Sequence, residues 1–133
     1  MNRAIQKTYD YLKKCEYYFI ATMDGDQPRV RGFGTYSIFD DKLYIQTGKF
    51  KDVSKQLAIN PKAELIAYDG KGWLRLSGTL VNDDSLEAKK KMIEDCPRLS
   101  ARYTYDDDKM QVLYFKDAAA SFCTDEGREV LYF

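Results

Sequence analysis

The sequence predicts a mainly β (α+β) fold, an antiparallel β-barrel of six or seven strands with flanking helices. Short runs rich in Tyr, Phe, Ile and Val recur along the 133 residues, and Asp-Gly turns join neighbouring runs into hairpins. Three segments with helical spacing interrupt the hairpins. A closed or nearly closed barrel leaves few sheet edges exposed. A chain of this length fits one domain, which we expect to span residues 1–133.

Three helices and a short fourth one are predicted. Ala4–Lys14 has apolar residues at three- and four-residue spacing and ends on two lysines, which the helix dipole favours. Lys51–Asn60 ends before Pro61, because the residue that precedes a proline avoids the α region. Asp83–Asp95 begins with an aspartate that can cap it, and the short fourth helix follows over Arg98–Tyr103.

Seven strands are predicted around these helices. The first two are joined by the turn Asp24–Gln27, whose Asp-Gly pair supplies the positive φ angles that tight hairpins need. The fifth strand alternates leucines with other side chains, so we expect the leucine face to be buried. The predicted strands are Tyr17–Met23, Pro28–Phe39, Leu43–Thr47, Ala63–Asp69, Trp73–Asn82, Met110–Thr124 and Arg128–Phe133.

The composition excludes several classes of function. The chain has no histidine, which excludes catalytic triads and metal sites built on that residue. Lys plus Arg and Asp plus Glu both number 21, and this balance argues against a nucleic-acid binder. No metal site is expected, since Asp106–Asp108 lacks the glycine and glutamate spacing of a calcium loop. With three dispersed cysteines and neither a signal peptide nor a membrane-spanning run, we expect a cytoplasmic protein without a membrane partner.

One part of the chain is suited to binding an anion. Pro28–Ile38 carries two arginines and two glycines, and Gln46–Pro61 runs from a strand end at Thr47 through a lysine-rich turn into a helix. Free backbone N–H groups and the helix dipole both favour negative charge at such a helix start. The alternative is that these lysines are ordinary solvated side chains, and the spacing alone leaves both interpretations open.

Four motifs resemble the pyridoxamine 5′-phosphate oxidase-like, FMN-binding split-barrel superfamily. The similarity is strongest to its short bacterial branch, whose members are described as nitroimidazole-resistance-like. The motifs occur in the family's order and spacing over nearly the whole chain, which implies a split β-barrel. They are ATMDGDQPRVRGFG (Ala21–Gly34), LYIQTGKFKDVSKQLAINPKAEL (Leu43–Leu65), GWLRLSGTL (Gly72–Leu80) and FCTDEGREVLYF (Phe122–Phe133).

The resemblance implies a homodimer with the cofactor FMN at the subunit interface. In the family's pattern one arginine reaches the FMN phosphate, and the backbone that follows it lies along the isoalloxazine ring. The matching residues are Arg31 for the phosphate, Gly32, Phe33 and Gly34 for the ring, Thr47 for the hydroxyl residue at the end of the third strand, Lys49 and Lys51 for the phosphate loop, Gln56 on the next helix and Trp73 beside the flavin. The residue pattern alone leaves open whether Trp73 contacts the flavin or packs in the dimer interface.

The resemblance implies an FMN-binding flavoprotein, an oxidoreductase that acts on a small-molecule substrate with an electron donor such as NAD(P)H. A flavin passes electrons without a side-chain base, which suits a chain without histidine. The missing histidine argues against the activity associated with the nitroimidazole-reductase branch. The chain ends at Phe133 without the Arg- and Trp-bearing segment of the longer oxidases, which argues against vitamin B6 oxidation. The alternatives are a non-catalytic flavin-, haem- or other ligand-binding protein and, less favoured, a structural or nucleic-acid-binding barrel.

Overall fold

The structure, a computed structural model, describes residues 2–133. Within this range the chain folds into three α-helices, one 3₁₀ helix and eight strands. The helices are α1 (Arg3–Cys15), α2 (Asp52–Ile59), α3 (Leu86–Asp95) and the 3₁₀ helix (Pro97–Ala101). The strands are β1 (Tyr18–Asp24), β2 (Gln27–Phe33), β3 (Ser37–Phe39), β4 (Lys42–Gly48), β5 (Lys62–Tyr68), β6 (Trp73–Asp83), β7 (Met110–Thr124) and β8 (Gly127–Tyr132).

All strand pairs are antiparallel, in the order β2-β1-β5-β6-β7-β4-β3, and β8 also pairs with β7. The long strand β7 pairs with β6 along one edge, and its other edge divides between two partners. Its first half pairs with β4, from Met110 opposite Gly48, and its second half pairs with β8, up to Thr124 opposite Gly127. Asp117 lies between the halves with a φ of 52°. This change of partner splits the barrel and confirms the predicted fold class.

Two apolar clusters stabilise the fold. The larger fills the barrel interior and includes the leucine face of β6, with Leu74 and Leu76 fully buried, as the alternation predicted. The smaller lies between α3 and the sheet and contains Met92 and Met110, which are also fully buried. Burying each such side chain contributes roughly 1.5–3 kcal/mol to folding.

The predicted strand Pro28–Phe39 is wrong as a single element, because it breaks into β2 and β3. Residues Gly34–Tyr36 cross between them and are held by tertiary contacts. The Tyr18 hydroxyl donates to the Thr35 carbonyl at 2.7 Å, and the Gln46 amide donates to Thr35 Oγ1 at 3.0 Å. The break raises the strand count to eight, above the predicted six or seven.

The third helix also begins later than predicted. Asp83 belongs to β6, where it pairs with Val112, so the helix starts at Leu86. Ser85 provides the N-cap, and its hydroxyl accepts a hydrogen bond from the Ala88 amide at 3.3 Å. The carboxylate of Asp83 instead accepts from the Ser85 amide at 2.9 Å.

Candidate functional site

A cleft of about 1280 Å³ lies between β2, the end of β4, α2 and the 3₁₀ helix. It brings together two parts of the chain that the sequence singled out, the second strand and the turn before the second helix. Of the nine predicted cofactor-binding residues, seven line the cleft, namely Arg31, Gly32, Phe33, Gly34, Thr47, Lys51 and Gln56. The other two, Lys49 and Trp73, lie elsewhere.

The guanidinium of Arg31 is held by a network from three elements. Its Nη1 donates to Thr22 Oγ1 at 2.7 Å and to the carbonyl oxygens of Ile20 and Arg29, each at 3.3 Å. Its Nη2 donates to Gln56 Oε1 at 2.9 Å, and Thr22 Oγ1 donates to the same oxygen at 2.6 Å. A guanidinium carries five N–H donors, so its Nε and one Nη2 hydrogen have no hydrogen-bond partner among residues 2–133.

Burial lowers the pKa of Arg31, and the carboxylate of Asp52 acts in the opposite direction. The ordinary pKa of arginine lies far above neutrality, so the side chain remains charged. Its positive charge is thus partly withdrawn from water inside the cleft. An anion next to it would gain more than it would beside an exposed arginine.

The hydroxyl of Thr47 is a buried polar group without a hydrogen-bond partner among residues 2–133. The residue is 2% exposed and lies near the end of β4, where the strand borders the cleft. Leaving such a group unsatisfied costs about 1–3 kcal/mol. The arrangement therefore favours a ligand oxygen as the acceptor for this hydroxyl.

The N-terminus of α2 borders the same cleft. Lys51 occupies the N-cap position, and none of the described side chains caps the helix there. The Lys51 amide donates to the Gly48 carbonyl at 3.0 Å, which turns the chain into the helix. Lys51 and Lys55 are exposed along the cleft, and the side chain of Val53 anchors the first turn in the core. Open backbone N–H groups, two lysines and the helix dipole all favour an anion at this position.

The backbone at Gly34 is approached closely by a distant side chain. The Arg98 guanidinium donates to the Gly34 carbonyl oxygen. A Cβ at Gly34 would lie 2.7 Å from Arg98 Nη2 and 3.0 Å from the ring of Tyr17. A glycine is therefore needed here for the close approach. Phe33, beside it, is half-buried and packs on Tyr18 with ring centroids 6.1 Å apart.

Lys49 and Trp73 lie outside the cleft of the single chain. The Nζ of Lys49 lies 3.6 Å from Asp84 Oδ1, and its amide donates to the Lys109 carbonyl at 2.7 Å. Trp73 stacks on Tyr68 with ring centroids 4.7 Å apart and remains 46% exposed. Their predicted roles at the cofactor stay predictions.

The sequence interpretation missed Arg98 and Arg102, which both line the cleft. They are four residues apart at the 3₁₀ helix, and Leu99 and Tyr103 on the same segment are buried. Each arginine precedes one of these apolar residues and both pairs repeat after four residues, a spacing that places basic and apolar side chains on different sides of the segment. The position of the basic side could not be read, because the contact with Gly34 spans 64 residues of chain.

The cleft is strongly cationic although the net charge of the chain is zero. Six basic and two acidic side chains line it, a surplus of four positive charges. The acidic residues are Asp24, which pairs with Arg29 at 3.2 Å, and Asp52. The six basic residues are Arg29, Arg31, Lys51, Lys55, Arg98 and Arg102. Such segregation focuses a positive potential on a bound anion.

A second surface feature is an apolar face on the outside of the sheet. Strand registers place alternate residues of β2, β1, β5, β6, β7 and β8 on this face. Five large apolar side chains on it are 46–74% exposed. We call this the outer aromatic face, and it consists of Phe19, Val30, Tyr68, Trp73 and Tyr132.

The sequence predicted neither a membrane-spanning run nor a metal site at the aspartate run Asp106–Asp108. Among residues 2–133, no helix combines the length and the apolar character that spanning a membrane requires. Asp107, within the aspartate run, accepts hydrogen bonds from the amides of Thr104, Lys109 and Met110 at 2.8–2.9 Å. This carboxylate therefore organises its own loop.

The fold and the site together define the class of the protein, a split antiparallel β-barrel with a cationic cleft. A family model described as pyridoxamine 5′-phosphate oxidase matches residues 5–120. The chain therefore belongs to the pyridoxamine 5′-phosphate oxidase family, and the resemblance found in the sequence motifs is confirmed. No curated protein matches the sequence.

Solved structures agree with this assignment. A NimC/NimA family protein from Clostridium acetobutylicum is 35% identical, with a TM-score of 0.94 over 98% of this chain and 94% of that one. A pyridoxamine 5′-phosphate oxidase-related, FMN-binding protein from Nostoc punctiforme is 17% identical, with a TM-score of 0.65 over 98% and 94% of the two chains. A haem-binding protein from Mycobacterium smegmatis is 10% identical, with a TM-score of 0.72 over 99% and 59%. The last two share the fold alone.

Proposed function

We propose that the protein is an FMN-binding flavoprotein, an oxidoreductase that acts on a small molecule through a flavin at a dimer interface. The observation that carries the proposal is the buried, unpartnered hydroxyl of Thr47 beside the uncapped start of α2. A phosphate monoester supplies acceptor oxygens for such a hydroxyl, for helix N–H groups and for basic side chains. The residues present thus fit the phosphate end of FMN.

Several side chains would hold the cofactor. Thr47, Lys51 and the donors left on Arg31 suit the phosphate, and Gln56 supports Arg31 from the other side of the cleft. The glycines of the Gly32–Gly34 segment leave room for a flat ring to approach the backbone. When bound, FMN supplies reversible hydride and electron transfer, so the chain needs no histidine for the chemistry.

A homodimer is part of the proposal, and the outer aromatic face supports it. Large exposed patches on a sheet favour association, and aromatic residues are enriched at the centres of interfaces. Val30 belongs to this face and also borders the cleft, so the two surfaces adjoin. In a dimer, Trp73 is expected to pack against the partner or to approach a flavin from the interface.

The first experiment compares binding of FMN and riboflavin by fluorescence quenching. We expect FMN to bind with micromolar or tighter affinity. Arg31→Ala and Lys51→Ala should weaken FMN by about tenfold or more each, because each removes a charge-assisted contact to phosphate. Riboflavin, which has no phosphate, should change by less than about threefold in the same variants.

A matched control is Lys13→Ala, which removes an exposed lysine of α1 that does not border the cleft. It should leave both affinities unchanged. Equal losses for FMN and riboflavin in the Arg31 and Lys51 variants would mean that the phosphate lies elsewhere. A pure protein that never binds FMN would refute the proposal.

Turnover separates an enzyme from a protein that only binds flavin. With FMN bound, we expect NADPH or NADH to be oxidised in the presence of a nitroaromatic acceptor, as followed by the loss of nicotinamide absorbance. Tight FMN binding without turnover for either donor would favour the non-catalytic alternative. Elution at the mass of a 15.5 kDa monomer instead of a dimer would contradict the interface site.

A further inference from the structure

We propose that Arg98 and Arg102 form a separate anion subsite that selects a second reactant bearing a carboxylate. The inference rests on the proposed function, because the subsite borders the cleft assigned to FMN. It names the chemical class of the molecule that meets the flavin, a carboxylate, which the family assignment leaves open.

The segment that bears the two arginines is anchored on its other side. Cys96, Leu99 and Tyr103 are 1%, 9% and 6% exposed and pack in the cluster beneath α3. The 3₁₀ helix is therefore fixed against the core, and Arg98 and Arg102 are left exposed along the cleft. A cationic pair on an anchored segment loses less entropy on binding an anion than two arginines on a mobile loop.

Arg98 is also restrained at its tip. Its guanidinium donates to the Gly34 carbonyl, and the missing Cβ at that glycine leaves the space it occupies. One such contact leaves most of the five guanidinium donors for a ligand. Neither Arg98 nor Arg102 forms an ion pair within residues 2–133.

The charges of the cleft leave room for a second anion. The lining carries a surplus of four positive charges, and a phosphate monoester contributes only about −1.5 to −2 at neutral pH. About two positive charges are then uncompensated in a partly enclosed space. A carboxylate on the second reactant would offset one of them through a bidentate contact with arginine.

The two groups of cations have different partners in the cleft. Arg31 turns towards β1 and α2, where it contacts Thr22 and Gln56. Arg98 instead donates to the backbone carbonyl of Gly34, beyond the end of β2. The guanidinium groups are thus held by different parts of the chain, which suits two separate anions.

The test uses two acceptors of the same size, 4-nitrobenzoate and 4-nitrobenzamide, with the FMN-loaded protein and saturating NADPH. The variants are Arg98→Gln, Arg102→Gln and the double variant, and Lys13→Gln is the control. We expect the double variant to raise KM for 4-nitrobenzoate by about tenfold with kcat within about twofold. KM for the neutral amide and the affinity for FMN should change by less than about threefold.

Three outcomes would overturn the subsite. Equal changes in KM for the two acceptors would show that charge is not recognised. A parallel loss of FMN affinity would place the arginines at the cofactor. A rise confined to KM for NADPH would assign the anion to the donor's phosphates and not to a carboxylate.

The cofactor titration keeps this test distinct from the test of the proposed function. If the parent protein binds no FMN or shows no turnover, calorimetric titration with 4-nitrobenzoate and 4-nitrobenzamide replaces the kinetics. A preference for the carboxylate that both Arg→Gln substitutions abolish supports the subsite even then. No preference in the parent protein refutes it, whatever the outcome with FMN.

Discussion

The β1–β2 hairpin carries opposite chemistry on its two faces. On the cleft side, Thr22 and Arg31 join a hydrogen-bond network that is formed before any ligand binds. On the other side, Phe19 and Val30 are 59% and 69% exposed and belong to the outer aromatic face, although Val30 also reaches the border of the cleft. Register pairs alternate between the faces, with Ile20 opposite Arg31 and then Phe19 opposite Gly32.

The difference shows which surface is preorganised for a ligand and which one leaves apolar side chains exposed. The cleft arranges its polar groups internally, so a ligand gains oriented donors at little cost in ordering. The outer face leaves apolar area in water, and only a partner would remove it. Substitutions in the cleft should therefore alter ligand affinity without altering the oligomeric state in solution. Substitutions on the outer face should alter the oligomeric state first and ligand affinity as a consequence.

The largest effect is expected from Phe19→Lys, which puts a charge in the middle of the outer aromatic face. The dimer dissociation constant should rise by at least about 100-fold, about 2.7 kcal/mol, because a charge would be buried in an apolar contact. Analytical ultracentrifugation over a dilution series measures it. FMN affinity should fall at protein concentrations where the variant is monomeric.

Phe50→Lys is the matched control for this change. Phe50 is also 59% exposed, but it lies in the loop before α2 and not on the outer aromatic face. It should leave the dimer dissociation constant unchanged. An undiminished dimer in the Phe19 variant, or the same loss in both variants, would remove the assignment of this face as the interface.

The second effect concerns the cleft network. Thr22→Val keeps the shape of the side chain but removes a buried hydroxyl that accepts from Arg31 and donates to Gln56. The free energy of unfolding should fall by about 1–3 kcal/mol in urea titrations, because polar partners lose a bond in a buried site. FMN affinity should fall as well, since Arg31 is less well held.

Thr8→Val provides the comparison for Thr22. Thr8 is fully buried, but its hydroxyl donates only to the Ala4 carbonyl within α1, at 2.7 Å. Its loss should cost less stability and leave FMN affinity unchanged. If both variants bind FMN equally well, the network does not position Arg31 for the ligand.

How far the sequence predicts the molecule depends on the range of the contacts involved. The Asp-Gly turn and period-two alternation are local, and they correctly predicted the β1–β2 hairpin and the buried leucines of β6. The break at Gly34–Tyr36 was missed, because this segment continues a β-rich pattern. It leaves the strand only through contacts of Thr35 with residues 11 and 17 positions away.

The same limit applies to the candidate site. The resemblance to the family grouped Arg31, Thr47 and Lys51, and the structure brings all three to one cleft. Arg98 and Arg102 have no local motif and reach the cleft only because the 3₁₀ helix docks across the sheet. Lys49 illustrates the reverse case, since a basic residue inside a matching motif pairs with Asp84 outside the cleft.

A third effect separates stability from binding. The Tyr44 hydroxyl donates to Asp83 at 2.6 Å, away from both surfaces. Burial acts to raise the pKa of Asp83, but hydrogen bonds from Tyr44 and the Ser85 amide outweigh it, and the net shift is downward. Tyr44→Phe should lower the free energy of unfolding by about 1 kcal/mol at pH 7 and leave FMN affinity and mass unchanged.

The pH dependence of this pair has a defined sign. A carboxylate with a lowered pKa in the folded state contributes stability above its unfolded value of about 3.9, and that contribution is lost as pH falls through the folded value. Urea titrations from pH 7 to pH 2 should therefore show a difference between parent and variant that is constant down to about pH 4 and shrinks at lower pH. A difference that stays constant down to pH 2 would contradict the role of the ionised Asp83.

The smallest effect tests the space at Gly34. In Gly34→Ala the new Cβ would lie 2.7 Å from Arg98 Nη2 and 3.0 Å from the ring of Tyr17, so both side chains should shift and Arg98 should leave the carbonyl. KM for 4-nitrobenzoate should then rise by about threefold relative to 4-nitrobenzamide, since the arginine is still present but less well held. Adding Arg98→Gln to this variant should change the ratio of the two KM values by less than Arg98→Gln changes it in the parent protein. Both substitutions act on the same contact, so their effects should not add. A fall in FMN affinity as large as that of Arg31→Ala, with the ratio unchanged, would instead mean that the glycine serves the cofactor alone.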